Sequence, residues 1–356
     1  MRLGVNLGYW GAGNDADNLA LAREADRLGC SVVWVAEAYG SDAPTVMAWV
    51  AAQTEHIDVG SAVMQVPART PAMTAMTAAT LDTLSGGRFR LGLGVSGPQV
   101  SEGWHGVRFD DPLGRTREYV DVVRLALSRA PVAYEGRHVT LPLPDGPGKA
   151  LRLTVTPVRE HVPLYLASLG PRNLRLTGEV ADGWLGLFVS PEHVGDSLAR
   201  IEEGRRAAGH DGLAGFDVCA TAPLVVTPDG GGAGAVAAAA DPVRDYVALY
   251  VGGMGSRRQN FYNALARRMG YEEAAEEVQR LYLERRPRDA AAAVPTDLVD
   301  ATSLLGPPAR VAERMAALAD AGVTTLNVVP FARDLEGRLA MLRAAVEALE
   351  ASGRAG

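Results

Sequence analysis

The chain is poor in cysteine. Its two residues, Cys30 and Cys219, stand far apart among 356 positions, which excludes a disulfide framework. No CxxC and no His/Cys cluster accompanies them, so neither a zinc site nor any other metal is expected. A basic excess is also missing. The formal charge is −7 and the isoelectric point is about 5.5. Phosphate-backbone binding needs a basic surface, so nucleic acid is not expected as a partner. No apolar run approaches the roughly 18 residues of a membrane span. The opening segment, MRLGVNLGYWGAG, lacks a basic n-region and a cleavage site. It reads as a first strand and not a signal peptide, which makes the cytoplasm the expected location. HExxH, P-loop and GxSxG motifs are absent, and no Ser/His/acid spacing favours a hydrolase.

What is present is a large globular core. Hydrophobic residues make up 47% and charged residues 22%, as in an ordinary folded protein. Strand patterns at 2–8, 31–36, 57–63 and 88–95 alternate with helical patterns at 16–29, 44–54, 71–84 and 113–129. The SVVWVA run at 31–36 is apolar throughout, as suits a parallel strand buried on both faces. Gly29 reads as a helix C-cap, Pro44 as a first-turn residue and Asp42 as that helix's N-cap. The rhythm breaks over 131–162, a Pro- and Gly-rich insertion with room for a hairpin. It resumes with strands at 163–168, 183–188, 216–226 and 323–329 and helices at 171–181, 191–208, 309–321 and 334–351. Residues 229–240 read as a flexible loop running into an Ala-rich helix start. A second insertion spans 242–308, helical to 285 and loop-like from 287 to 308. Eight strand–helix units predict one domain over 1–356, a closed (β/α)8 TIM barrel with insertions more naturally than an open sheet. In either architecture ligands bind at the C-terminal ends of the strands.

The loops at those ends carry the candidate chemistry. Gly92–Gly97 matches GxGxxG after a strand, but the fingerprint also needs a helix starting inside the loop. The following Pro98-Gln99-Val100-Ser101-Glu102-Gly103 reads as a poor helix, and the unit is fourth in the chain. The glycines are therefore read as permitting close backbone approach to a ligand, or as a bend at a barrel corner. The same loop holds Trp104, read as lining a pocket, and His105, either a proton donor/acceptor or a loop residue bonded to its neighbours. Glu37 ends a buried strand, where a carboxylate is costly unless it faces a pocket or is paired at the rim. Tyr39 follows it. Asn6 either points into the barrel mouth or is a satisfied core amide. Ala167-Ser168-Leu169-Gly170-Pro171-Arg172 runs a small-residue loop straight into a helix. Free amides beside a guanidinium make an anion site there, the alternative being an ordinary helix start.

These segments resemble the luciferase-like monooxygenase superfamily, and within it the branch of coenzyme F420-dependent oxidoreductases related to methylenetetrahydromethanopterin reductase. The carriers are VWVAEAYGSDA (33–43), the run from Val59 to Phe109 with SGPQVSEGWHG inside it, PLGRTREYV (112–120), the run from Val162 to Pro191 with GPRNLRLTGEVADGW, and the run from Leu249 to Leu283. The resemblance spans almost the entire chain. It implies a homodimer of barrels and a non-proline cis peptide at Ala62–Val63 supporting a deazaflavin ring. It also implies a cofactor phosphate cradled by Ala167–Arg172 and by the loop around Gly97, Pro98 and Gln99. F420 is the implied cofactor, with FMN as the alternative, and a small organic molecule is the implied substrate, lying beneath Trp104 and the 131–162 insertion. One departure stands out: some F420 enzymes carry an Asp-His pair where this chain has Glu37-Ala38. The proton donor is then sought in Glu37, His105 and Tyr39. The resemblance implies hydride transfer at the deazaflavin C5, with reduction of a C=C or C=N bond favoured. An FMN-dependent monooxygenase and a catalytically silent, flavin-binding barrel are the rival readings.

Overall fold

The computed structural model describes residues 1–11, 13–230 and 232–356. Eight parallel strands form the barrel: β1 Arg2–Gly8, β2 Val32–Val35, β3 Asp58–Ser61, β4 Phe89–Gly94, β5 Leu164–Ala167, β6 Gly183–Leu187, β7 Asp217–Val226 and β8 Thr325–Pro330. Each pairs with its chain neighbour, β8 pairs with β1, and the ring closes. The closed barrel is the expected one. The helices around it are α1 Asp15–Arg27, α2 Ala43–Ala51, α3 Pro71–Leu84, α4 Pro98–Gly103, α5 Pro112–Leu127, α6 Pro171–Val180 and α7 Val194–Ala207. They continue with α8 Gly232–Ala248, α9 Phe261–Arg268, α10 Glu272–Leu283, α11 Pro287–Ala292, α12 Thr296–Ala301, α13 Pro308–Asp320 and α14 Leu335–Ala351.

The strands are buried and mostly apolar because both faces are covered, by helices outside and by side chains within the ring. Inside, the indole of Trp34 donates to Asn327 at 2.9 Å. Gly92 admits the close approach of β3, since a Cβ there would stand 1.8 Å from the Ser61 carbonyl oxygen. At the N-terminal end of the barrel, Arg90 pairs with Asp58 at 2.7 Å and with Asp217 at 3.3 Å. Asp217 also accepts from Tyr165 at 3.0 Å, Thr325 at 2.8 Å and Arg2 at 2.8 Å. Four strands and the chain terminus are thus tied to one carboxylate.

Three expectations need correction. Residues 98–103 do form a helix, because Pro98 occupies the first-turn position where its missing N–H is no loss. Residues 287–308 are not a loop: they hold α11 and α12, opened by Pro287 and Pro295, and a short strand, Leu304–Gly306, on the end of β7. The alanines that looked loop-like are the strongest helix formers, and the same reason makes the Ala-rich run helical from Gly232, with Gly231 outside the described residues. The 131–162 insertion carries the expected hairpin, Tyr134–Glu135 against Thr140–Leu141. However, it does not roof the mouth. Glu118 of α5 receives the amides of 137–139, and Arg159 pairs with Asp82 of α3 and donates to the Phe89 carbonyl at the start of β4. The insertion is fastened to the flank of α3 and α5. The elements gathered over the far end of the barrel are α8 to α12, with a second hydrophobic cluster of their own around Phe188 and Val225.

Candidate functional site

Glu37 does not offer a proton into the mouth. Its oxygens receive both guanidinium nitrogens of Arg69 at 2.7 Å, the amide of Ala43 at 3.2 Å and the amide of Gln65 at 3.2 Å. The pair is nearly sealed, with 6% of the Glu37 side chain and 15% of the Arg69 side chain exposed. All four contacts use the carboxylate as an acceptor, so a role as proton donor is withdrawn and rim pairing takes its place. Arg69 is held more firmly protonated than usual, first by its hydrogen bond to Glu37. Gln65 extends the network, giving its side-chain amide to the Ala38 carbonyl at 2.5 Å and accepting from Ser96 at 2.9 Å. The loops after β2, β3 and β4 are therefore one hydrogen-bonded unit. Ala62–Val63, between β3 and Gln65, is a cis peptide.

A different logic shapes the loops after β4 and β5. Helices α2, α3, α5, α9 and α14 are each capped by an Asp, Thr or Asn side chain. Helices α4 and α6 begin instead on Gly97 and Gly170, with Pro98 and Pro171 next and no side-chain cap. A Cβ at Gly170 would meet nothing within 4 Å, and one at Gly97 only the Gln99 side chain at 3.6 Å. Two cap positions on adjacent strands thus face open space. The free first-turn amides of the ten-residue α6 suit an anion. Arg172 is exposed one residue into α6, and Asn173 holds a buried side-chain oxygen without a partner among the described residues. Arg268 of α9 fastens the loop by donating to the Leu169 carbonyl at 2.9 Å. Ala167 is half-buried at the strand end. Ser168 turns inward, its hydroxyl on Thr177 at 2.8 Å and its carbonyl on the Trp184 indole at 2.9 Å. Its side chain shapes the loop and is not free to bind.

The remaining candidates are spread over the rim. Asn6 accepts from the Gly8 amide at 2.8 Å, where the β1–β2 register shifts, so its amide turns the strand end. Trp104 and Tyr39 are exposed by 66% and 69% and lie 6.5 Å apart, a pair of open aromatic faces. His105 is half-buried, with its Nε2 sealed and unpartnered among the described residues. Sequence reasoning missed Gln65, Arg69 and Ser96, and also a cluster of aromatics, Phe188, Tyr246, Tyr250, Tyr262 and Phe331. The aromatic signal was partly visible, since Phe188 follows β6 and Phe331 follows β8.

A closed parallel barrel of eight strands with helices around it is a (β/α)8 TIM barrel, and the two uncapped helix starts and the exposed Arg172 stand on its C-terminal face. The profile of the luciferase-like monooxygenase family matches residues 6–325, and the chain belongs to that family. It is 43% identical over 334 residues to a Mycobacterium tuberculosis protein named as a coenzyme F420-dependent oxidoreductase, covering 92% of this chain and 94% of that one. It is 27% identical over 323 residues to the 5,10-methylenetetrahydromethanopterin reductase of Methanopyrus kandleri, covering 86% and 87%. Among solved structures, the coenzyme F420-dependent tetrahydromethanopterin reductase from Methanopyrus kandleri superposes with a TM-score of 0.81 at 25% identity, covering 98% of each chain.

Proposed function

We propose that this chain is a coenzyme F420-dependent oxidoreductase that transfers hydride between the deazaflavin and an organic substrate, reducing a C=C or C=N bond. The observation that carries the reading is the pair of glycine-capped helix starts, Gly97 and Gly170, open on adjacent strand ends beside the exposed Arg172. A phosphate-bearing cofactor fits such a cradle. The α6 amides and the Arg172 guanidinium would donate to its phosphate, and the loop at Gly97–Gln99 would close beside it. The relatives named for F420 support that cofactor over other phosphorylated ones. When bound, the deazaflavin supplies the two-electron chemistry at its C5.

The protein's share is position and proton handling. The Glu37–Arg69–Gln65–Ser96 network holds the β2, β3 and β4 loops, including Ala62 and Val63, in one arrangement. With Glu37 engaged by Arg69, His105 and Tyr39 are the candidates left for proton transfer at the rim. The test is Arg172→Ala. Loss of one charge-assisted phosphate contact is expected to weaken F420 binding by about ten-fold or more, read as a shift in the F420 fluorescence titration. An unchanged dissociation constant removes Arg172 from the site.

A further inference from the structure

The chain carries a formal charge of −7, yet from Tyr246 to Tyr271 it holds four arginines and no acid. A local excess of that kind builds a positive potential that the rest of the protein opposes, and it serves where an anion is met. The block contains α9, with Arg257 and Arg258 just before it and Arg267 and Arg268 in its last turn.

Helix α9 lies against the loops after β4 and β5, neighbouring strands of the barrel. Its first residue, Phe261, stands 6.4 Å from Phe109 of the loop after β4. Its last, Arg268, donates to the Leu169 carbonyl of the loop after β5 at 2.9 Å. The glycine-capped helix starts, Gly97 and Gly170, stand in those same two loops. The seat of α9 is firm. Buried Asn260 caps it, accepting from the Tyr262 and Asn263 amides at 2.9 Å, and donates to the carbonyls of Tyr250 at 3.0 Å and Val251 at 2.9 Å. Buried Asn263 donates to the Ala275 carbonyl at 2.6 Å. Ala266 and Met269 turn inward.

What faces outward is positive. Arg257 and Arg258 are exposed, and neither has a carboxylate partner among the described residues. The acids that follow Phe109 are already engaged, Asp110 by Arg115 at 2.9 Å and Asp111 by His138 at 3.0 Å. Arg267 is engaged as well, donating to Asn263 at 2.9 Å and pairing with Glu272 at 3.4 Å. Arg268 differs from it, with the Leu169 carbonyl as its hydrogen-bond acceptor and no carboxylate among the described residues. Burial holds its guanidinium below the ordinary value, and no neighbouring negative charge offsets that. A cation partly stripped of water and left without a counter-ion is costly, and an arriving anion relieves the cost.

The spacing selects the kind of anion. Helix α9 has eight residues, so its ends are roughly 12 Å apart at about 1.5 Å per residue. A single phosphate reaches one end only. A ligand that engages both ends carries separate negative charges along a chain.

We propose that the α9 segment is an anion strap for the distal part of the cofactor: Arg268 joins Arg172 at the phosphate, and Arg257 and Arg258 take carboxylates of the chain attached beyond it. This rests on the reading of the cofactor as F420, whose phosphate is followed by a chain of glutamate residues, and it names the part of the coenzyme that the strap recognises. FMN ends at its phosphate and offers nothing to the far end of α9.

The test is fluorescence titration with three ligands: F420 with its glutamate chain, the form that keeps the phosphate but has no glutamate, and the free deazaflavin with neither. Wild type is expected to bind the full coenzyme most tightly and the free deazaflavin least. Raising the salt should narrow the preference for the glutamate chain, because exposed charges are screened. Arg257→Gln combined with Arg258→Gln should weaken the full coenzyme by about five-fold, within the range of two exposed ion pairs, and leave the other two ligands unchanged. Arg268→Gln should weaken both phosphate-bearing forms and leave the free deazaflavin unchanged, which also shows that the site is still folded. Three results each overturn the strap and leave the cofactor reading standing: equal binding of the full and chainless forms by wild type, a double variant that keeps the wild-type preference, or an Arg268→Gln variant with wild-type affinity for both phosphate-bearing forms. Failure of wild type to bind any of the three ligands overturns the cofactor reading and the strap with it.

Discussion

Asp217→Ala is expected to destabilise the barrel by about 3–5 kcal/mol, the cost of leaving a buried cation without its partner. The carboxylate is the hub of the N-terminal end of the barrel, receiving Arg2 from β1, Arg90 from β4, Tyr165 from β5, and Thr324 and Thr325 at the start of β8. Truncation leaves the Arg90 guanidinium, 8% exposed, with Asp58 alone. The same carboxylate predicts a pH dependence. Burial alone would raise its pKa, but Arg2, Thr324, Thr325 and Arg90 together outweigh burial and hold it below the ordinary 3.8. A group whose folded pKa is depressed contributes stability above its unfolded value, and loses that contribution as the pH falls through the folded one. The urea midpoint of wild type should therefore decline more steeply than that of Asp217→Ala on acidification below about pH 4. Parallel pH curves and a wild-type midpoint in the variant would show that the network carries no stability.

The second large effect belongs to Glu37. Glu37→Ala should cost about 3 kcal/mol, at the lower end for a broken buried pair because Asp42 remains beside Arg69. The loss is not confined to stability. Glu37 joins the β2 loop to Gln65 and Arg69, and through Gln65 to Ser96 of the β4 loop, so its removal loosens the arms of the cofactor site together. The expected signature is a lower unfolding midpoint and weaker F420 binding, with the shape of the pH–rate profile preserved in whatever activity is left. A fully stable variant with normal F420 affinity and abolished turnover would restore Glu37 as a proton donor.

The strand–helix rhythm was legible because a parallel strand covered on both faces is written as a short apolar run such as Val32–Val35, and each helix as a periodic one. The start of α6 was legible for a local reason too: Gly170-Pro171 is a sequence that opens a helix. What sequence reasoning misassigned or missed is non-local. The fate of Glu37 is decided by Arg69, 32 positions away, and that of Ser96 by Gln65, 31 positions away. No periodicity announces such pairs. Pro98 was weighed as a helix breaker when position made it a helix opener, and the prolines before α11 and α12 misled in the same way. The 131–162 insertion was taken for a roof on the family resemblance. Which face a loop covers is set by partners such as Asp82 and Glu118, on helices far from it in sequence. The aromatic cluster collects Phe188 after β6, Phe331 after β8 and tyrosines of the α8–α9 segment, and only the fold brings them together.

The strand ends of this barrel are proposed to hold a phosphorylated deazaflavin. This is tested most directly by fluorescence titration of the purified protein with F420 and, in parallel, with FMN. Saturable F420 binding, clearly tighter than FMN binding, is expected. Tight binding of FMN with F420 ignored would contradict it.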